Sequence, residues 1–158
     1  MNKREIKFRV WDKINNCFFD WKEQYNTLEF NEGIPDRIIL YDTEGVLEKD
    51  EFELMQYTGL KDVNGVEIYE GDIILYPDTE SEFIDVGIGG EGVKVAETGI
   101  NSFFPVEFKD GEFGINVNLN SEILYNGWYT LRMALEEVES IEVIGNIYEN
   151  PELLTNKN

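Results

Sequence analysis

The stretch from Gln56 to Tyr76, "QYTGLKDVNGVEIYEGDIILY", decides how this chain is read. Gly59, Gly65 and Gly71 punctuate it, polar side chains crowd its middle, and it ends in an apolar run. Such a stretch is either a ligand-binding loop or the bend that feeds a β-strand. Asn64–Gly65 is the strongest short hairpin signal in the chain, because a type I′ turn needs φ > 0 at both central residues. From Gly71 the segment "GDIILYPD" runs into β-branched and aromatic residues, a strand expected to stop at Pro77.

Outward from that stretch the pattern stays β. In "EIKFRVWD" Ile6, Phe8 and Val10 alternate with Lys7, Arg9 and Trp11, a period of two that fits a half-buried strand. With an Asn15–Asn16 turn and the return "CFFDW", residues 5–21 read as a hairpin. "TLEF" and "RIILY" are two more strand candidates, separated by the turn formers Gly33 and Pro35. The acidic run 42–53 reads as a surface loop with at most a helical turn. Residues 83–99 read as a strand pair around the glycines 87–92, and Asp110–Gly111 reads as the turn of a further hairpin. Only Thr130–Ser140 reads as a helix. Leu131, Ala134, Leu135 and Val138 share one face there, with Thr130 as N-cap. "IEVIGNIY" follows as a strand and "PELL" as a final turn. The expectation is one mainly β domain over residues 1–158, a partly open barrel or roll of hairpins with one short C-terminal helix; α+β is the alternative.

A chain of 158 residues fits one domain and buries enough surface to need no metal or disulfide as a staple. Thirty-three acids against 13 Lys and Arg give a net charge of −20, which disfavours direct nucleic-acid binding, since that works through cations displacing counterions. Solubility is the preferred reading of the charge; a surface that imitates nucleic acid is the alternative. Lys3, Arg4, Lys7 and Arg9 make the N-terminus locally basic, which either helps two copies associate, basic arm to acidic face, or is simply an exposed strand face. There is no apolar stretch long enough for a membrane span, and one cysteine suits a reducing cytoplasm.

Candidate chemistry is sparse. The absence of histidine removes the Ser-His-Asp and Cys-His relays and imidazole ligands. Cys17, between turn and phenylalanines, is expected to be a buried thiol rather than a nucleophile. Asp62, Asn64, Glu67, Glu70 and Asp72 offer oxygens, but Gly65 stands fourth from Asp62 where a calcium loop needs its glycine sixth. "GIGGEG" has neither the spacing nor the following Lys of a phosphate loop. Asp78, Glu80 and Glu82 would share one face of a strand at about 7 Å spacing, which a solvated edge explains as well as mimicry does. No catalytic, cofactor-binding or metal-ligating residue is assigned.

Three segments carry a resemblance: "REIKFRVWDK", "LMQYTGLKDVNGVEIYEGDII" and "IEVIGNIYENPELL" together resemble the YopX family of small phage and prophage proteins. The region of about 77–129 between them is expected to be variable. The resemblance implies a mainly β domain, no assigned enzymatic activity and no catalytic positions to carry over. Gly59 and Gly71 then fit turning positions, and Asp62 a hydrogen bond to the Asn64–Gly65 turn, so the quoted stretch is read as a structural bend. The implied role is a non-enzymatic accessory protein in the host bacterial cytoplasm, binding an unknown host or phage protein or assembling with itself. Nucleic-acid mimicry comes second, and a carboxylate-metal enzyme third.

Overall fold

A computed structural model describes residues 5–19, 26–40, 45–78, 100–117, 127–138 and 140–155. It bears out a mainly β chain that curls into a half-open roll, with two short helices. The first sheet has the order β2-β1-β6-β7, from β1 (Phe8–Asp12), β2 (Cys17–Phe19), β6 (Phe52–Lys61) and β7 (Glu67–Tyr69). The second has the order β13-β8-β9, from β8 (Asp72–Asp78), β9 (Ile100–Pro105) and β13 (Glu142–Asn146). Chain direction carries β9 through Val106 into β10 (Glu107–Lys109), which starts the third sheet, β10-β11-β12, with β11 (Glu112–Val117) and β12 (Gly127–Thr130). A fourth sheet, β3-β4-β5, comprises β3 (Asn26–Asn31), β4 (Ile34–Leu40) and β5 (Gly45–Glu48). All pairings are antiparallel.

Two apolar clusters hold these sheets together. The larger gathers Ile68, Ile74, Tyr76, Phe104, Val106, Ile115, Leu131, Ala134 and Ile141 under the helix α1 (Leu131–Glu137). The smaller joins Val10, Ile38, Leu47 and Phe52 between the first and fourth sheets. Leu131 and Ala134 are fully buried as the helical spacing requires, and the Thr130 hydroxyl accepts from the Met133 N–H at 3.3 Å. A second helix, α2 (Glu152–Thr155), forms where a turn was expected.

Several local expectations are corrected. Part of the acidic run 42–53 is strand: β5 lies within it, and β6 begins at Phe52, whose ring enters the smaller core. Apolar Leu47 and Phe52 supply the burial that their charged neighbours concealed. Alternation in β1 also fails, because Ile6 and Phe8 are exposed while Val10, Trp11 and Asp12 are all buried. β1 is a central strand, and Trp11 on its supposedly outer face is covered by Phe18 edge-on at 5.1 Å and by Tyr148 stacked at 5.6 Å. Cys17 is exposed, not buried, since β2 is the edge of its sheet. β8 continues through Pro77, beyond the end of its pairing with β13, where an edge tolerates the missing N–H. The strand pair expected at 83–99 lies outside the described residues.

Candidate functional site

The quoted bend runs from β6 to β8 and ties the first sheet to the second. Its turn is not the type I′ expected at Asn64–Gly65: of those two residues only Gly65 has a positive φ, at 80°. The Asp62 carbonyl accepts the Gly65 N–H at 3.0 Å, and the following loop keeps β6 and β7 five residues apart. What shapes the loop is the buried Asp62 side chain. One of its carboxylate oxygens accepts the N–H groups of Asn64 at 2.9 Å and Val66 at 2.8 Å, as the sequence suggested. Its other oxygen accepts the Val143 N–H at 3.0 Å, 81 residues away on β13. A carboxylate with three backbone donors in a dry site is a staple, because each of those N–H groups loses its water on burial.

Asp72 repeats the logic ten residues on. Its side chain is 1% exposed, accepts the Tyr69 N–H at 2.7 Å and pairs with the Arg9 guanidinium of β1. Burial pushes this carboxyl above its ordinary range, while Arg9 and the Tyr69 N–H pull it back. Arg9 lies over the rings of Phe18 and Tyr69, at 4.5 and 4.8 Å. Nearer solvent, the Lys7 ammonium meets Glu67 at 2.6 Å, and the Tyr69 hydroxyl donates to the other Glu67 oxygen at 2.9 Å. Those two hydrogen bonds hold the Glu67 carboxyl below its usual range. Burial first, and then Glu67, push the Tyr69 hydroxyl up to about 12. This ladder of Lys7, Glu67, Tyr69, Arg9 and Asp72 is paired from end to end.

Gly71 completes the knot with its backbone: its N–H donates to the Val106 carbonyl at 2.8 Å, and its carbonyl accepts the Ile147 N–H at 2.9 Å. Its φ of +79° is one that L side chains rarely adopt, so glycine belongs here. Asn146, also buried, caps the adjoining turn by accepting from the N–H groups of Tyr148 and Glu149 at 3.0 and 2.9 Å.

What this knot leaves open is a cleft of about 420 Å³ beside Gly71. Met55, Val106 and Ile147 contribute to its apolar surface, Phe108 and Tyr148 its aromatic rings, and Glu53, Glu70 and Glu107 its only charges among the described residues. Glu70 is half-buried, and its carboxyl is pushed up by that burial and by Glu53, against the Gln56 N–H that lowers it. The Tyr148 hydroxyl is pushed up by burial and then by Glu53 and Glu70, so both carboxylates act on the same spot. Glu53 pairs with Lys13 at 2.7 Å; among the described residues neither Glu70 nor Glu107 has an ion-pair partner.

Of the residues that sequence reading singled out as oxygen donors, Asp62 and Asp72 are structural, Glu67 is in the ladder, and Glu70 alone faces the cleft. Among the described residues no three His, Cys, Asp or Glu side chains stand close enough to hold a metal ion. None of the described helices is long and apolar enough to cross a membrane. The face expected for Asp78, Glu80 and Glu82 lies outside the described side chains. Sequence reading missed the cleft entirely, since Met55, Glu70, Phe108 and Tyr148 come together only through the pairing of β6 with β7 and of β8 with both β9 and β13.

Comparison with known proteins agrees with this architecture. Protein EF1440 from Enterococcus faecalis has a similar crystal structure, with a TM-score of 0.59, 25% identity, and 96% of this chain and 99% of that one covered. The crystal structure of the yopX protein from Bacillus subtilis is similar in fold, with a TM-score of 0.54, 22% identity, and 93% and 96% covered. Among curated proteins none matches. The family described as YopX protein matches residues 7–155, nearly the whole chain, and the chain belongs to that family.

Proposed function

We propose that this YopX-family chain is a phage- or prophage-encoded accessory protein that acts in the host bacterial cytoplasm without catalysis, by binding another protein. The observation that carries the reading is how the family-like bend uses its polar groups. Asp62, Asp72, Glu67, Tyr69 and Arg9 all engage one another or the backbone, which leaves none of them poised as a nucleophile, acid or base. Beside them lies an open, partly apolar cleft lined by strands and the turns that join them, a form that suits a side chain presented by a partner better than an enclosed reaction. Neither the family's description nor those of the two similar structures names an activity.

The test is capture of partners by the tagged chain from lysate of the bacterial host, at low and high salt, beside a charge-matched acidic control. A partner retained by the chain and absent from the control supports the reading. A set of bound proteins identical to the control's overturns it. A partner that binds nucleic acid and is lost at high salt would instead favour mimicry, because a charge-driven interface weakens steeply with ionic strength.

A further inference from the structure

We infer that the cleft between Glu70 and Phe108 receives an arginine side chain presented by a partner protein; this rests on the protein-binding reading above and names the chemistry of its contact. The cleft is an apolar groove with a one-sided charge. Met55, Val106, Ile147 and Phe108 supply apolar surface, and among the described residues every charged one in its lining is a glutamate. Arg9 and Lys7, which neutralise the neighbouring ladder, are committed to Asp72 and Glu67. The chain thus contributes Lys13 to the Glu53 edge and, among the described residues, no cation to Glu70 or Glu107. A cation from elsewhere would satisfy them.

Three features select arginine among cations. The cleft pairs carboxylates with aromatic rings: Phe108, 51% exposed, and Tyr148, whose other face is held by Trp11. A guanidinium stacks on rings and meets carboxylates through a planar fork, where an ammonium offers a more strongly hydrated point charge. The chain itself uses this combination nearby, where Arg9 lies over Phe18 and Tyr69 while pairing with Asp72. A volume of about 420 Å³ holds one long side chain with its apolar neighbours, and the opening leaves the rest of the partner outside. The overall charge of −20 would steer a basic partner toward it.

The experiment follows backbone amide shifts of the isotope-labelled chain during titration with a capped pentapeptide, Gly-Leu-Arg-Leu-Gly. Matched peptides carry lysine or citrulline in place of arginine. The arginine peptide is expected to shift Gly71, Glu107 and Tyr148, and the citrulline peptide, isosteric but neutral, to bind at least about tenfold more weakly. Lysine should fall between. The same tenfold loss is expected for Glu70→Gln, a variant that keeps its shape and an oxygen for the Gln56 N–H and should fold, because among the described residues Glu70 has no ion-pair partner. Equal binding of the citrulline peptide, shifts confined to other surfaces, or no shifts at about 10 mM peptide would each overturn the inference. Capture from lysate with Glu53→Gln, Glu70→Gln and Glu107→Gln combined separates its failure from that of the protein-binding reading. A partner held equally by the variant removes the cleft but keeps the reading, whereas no specific partner for either chain removes the reading itself.

Discussion

Asp72 and Glu70 stand two residues apart and have opposite situations. Asp72 is buried, paired with Arg9 and bonded to the Tyr69 N–H. Glu70 is half-buried on the cleft wall and, among the described residues, has no cation of its own. The same bend therefore contains one acid that builds the fold and one that the fold leaves available. The difference teaches that an acidic stretch cannot be judged by composition. What separates structure from opportunity is whether the rest of the chain has brought a cation to the carboxylate.

The largest effect that would sharpen this contrast is Asp72→Ala. It strands the Arg9 guanidinium between two rings and is expected to cost about 2–4 kcal/mol in denaturant unfolding. An unchanged midpoint would mean that the pair contributes nothing and the contrast is empty. Asp62→Ala comes next, at about 2–3 kcal/mol, because the N–H groups of Asn64, Val66 and Val143 lose their acceptor.

A smaller, pH-dependent effect concerns Tyr69. Its folded-state pKa of about 12 lies above the ordinary 10.0, so above pH 10 the unfolded chain releases a proton that the native chain keeps. Stability should fall as pH rises from 10 to 12, and Tyr69→Phe should remove that component of the slope. Parallel slopes for the two chains would count against the ladder.

The smallest effect should come from Glu70→Gln, and it should be opposite in sign to that of Asp72→Ala. Burial and Glu53 raise the Glu70 pKa above 4.5, so the native chain loses stability as pH climbs through that window. The glutamine variant should therefore unfold at a slightly higher temperature at neutral pH, with the gain fading below about pH 4.5. A loss of stability at neutral pH would place Glu70 among the structural acids after all.

Most of the described strands and the helix were legible because their signals are local, whereas β5 was hidden by its charged neighbours. Thr130 with Leu131, Ala134 and Leu135 announces α1, and Asp110–Gly111, with φ of 53° and 92°, announces the β10–β11 hairpin. Asp62 was legible as a turn former for the same reason. Its third bond, to Val143, was not, since it depends on β13 reaching the bend from 81 residues away. Cys17 and Trp11 were misjudged because edge or centre, and so exposure, is a property of sheet order: β2 lies at the rim and β1 inside. The cleft belongs to this second kind of information, as it is assembled from four separate parts of the chain.

The most direct test of the claim that the quoted stretch is a structural bend is native-state hydrogen exchange at Asn64, Val66 and Val143. If Asp62 staples the loop to β13, Val66 and Val143 should exchange only through global unfolding, and Asp62→Ala should release all three amides. Exchange of these amides in the unaltered chain by local opening, well below the global unfolding free energy, would contradict it and return the stretch to the status of a mobile binding loop.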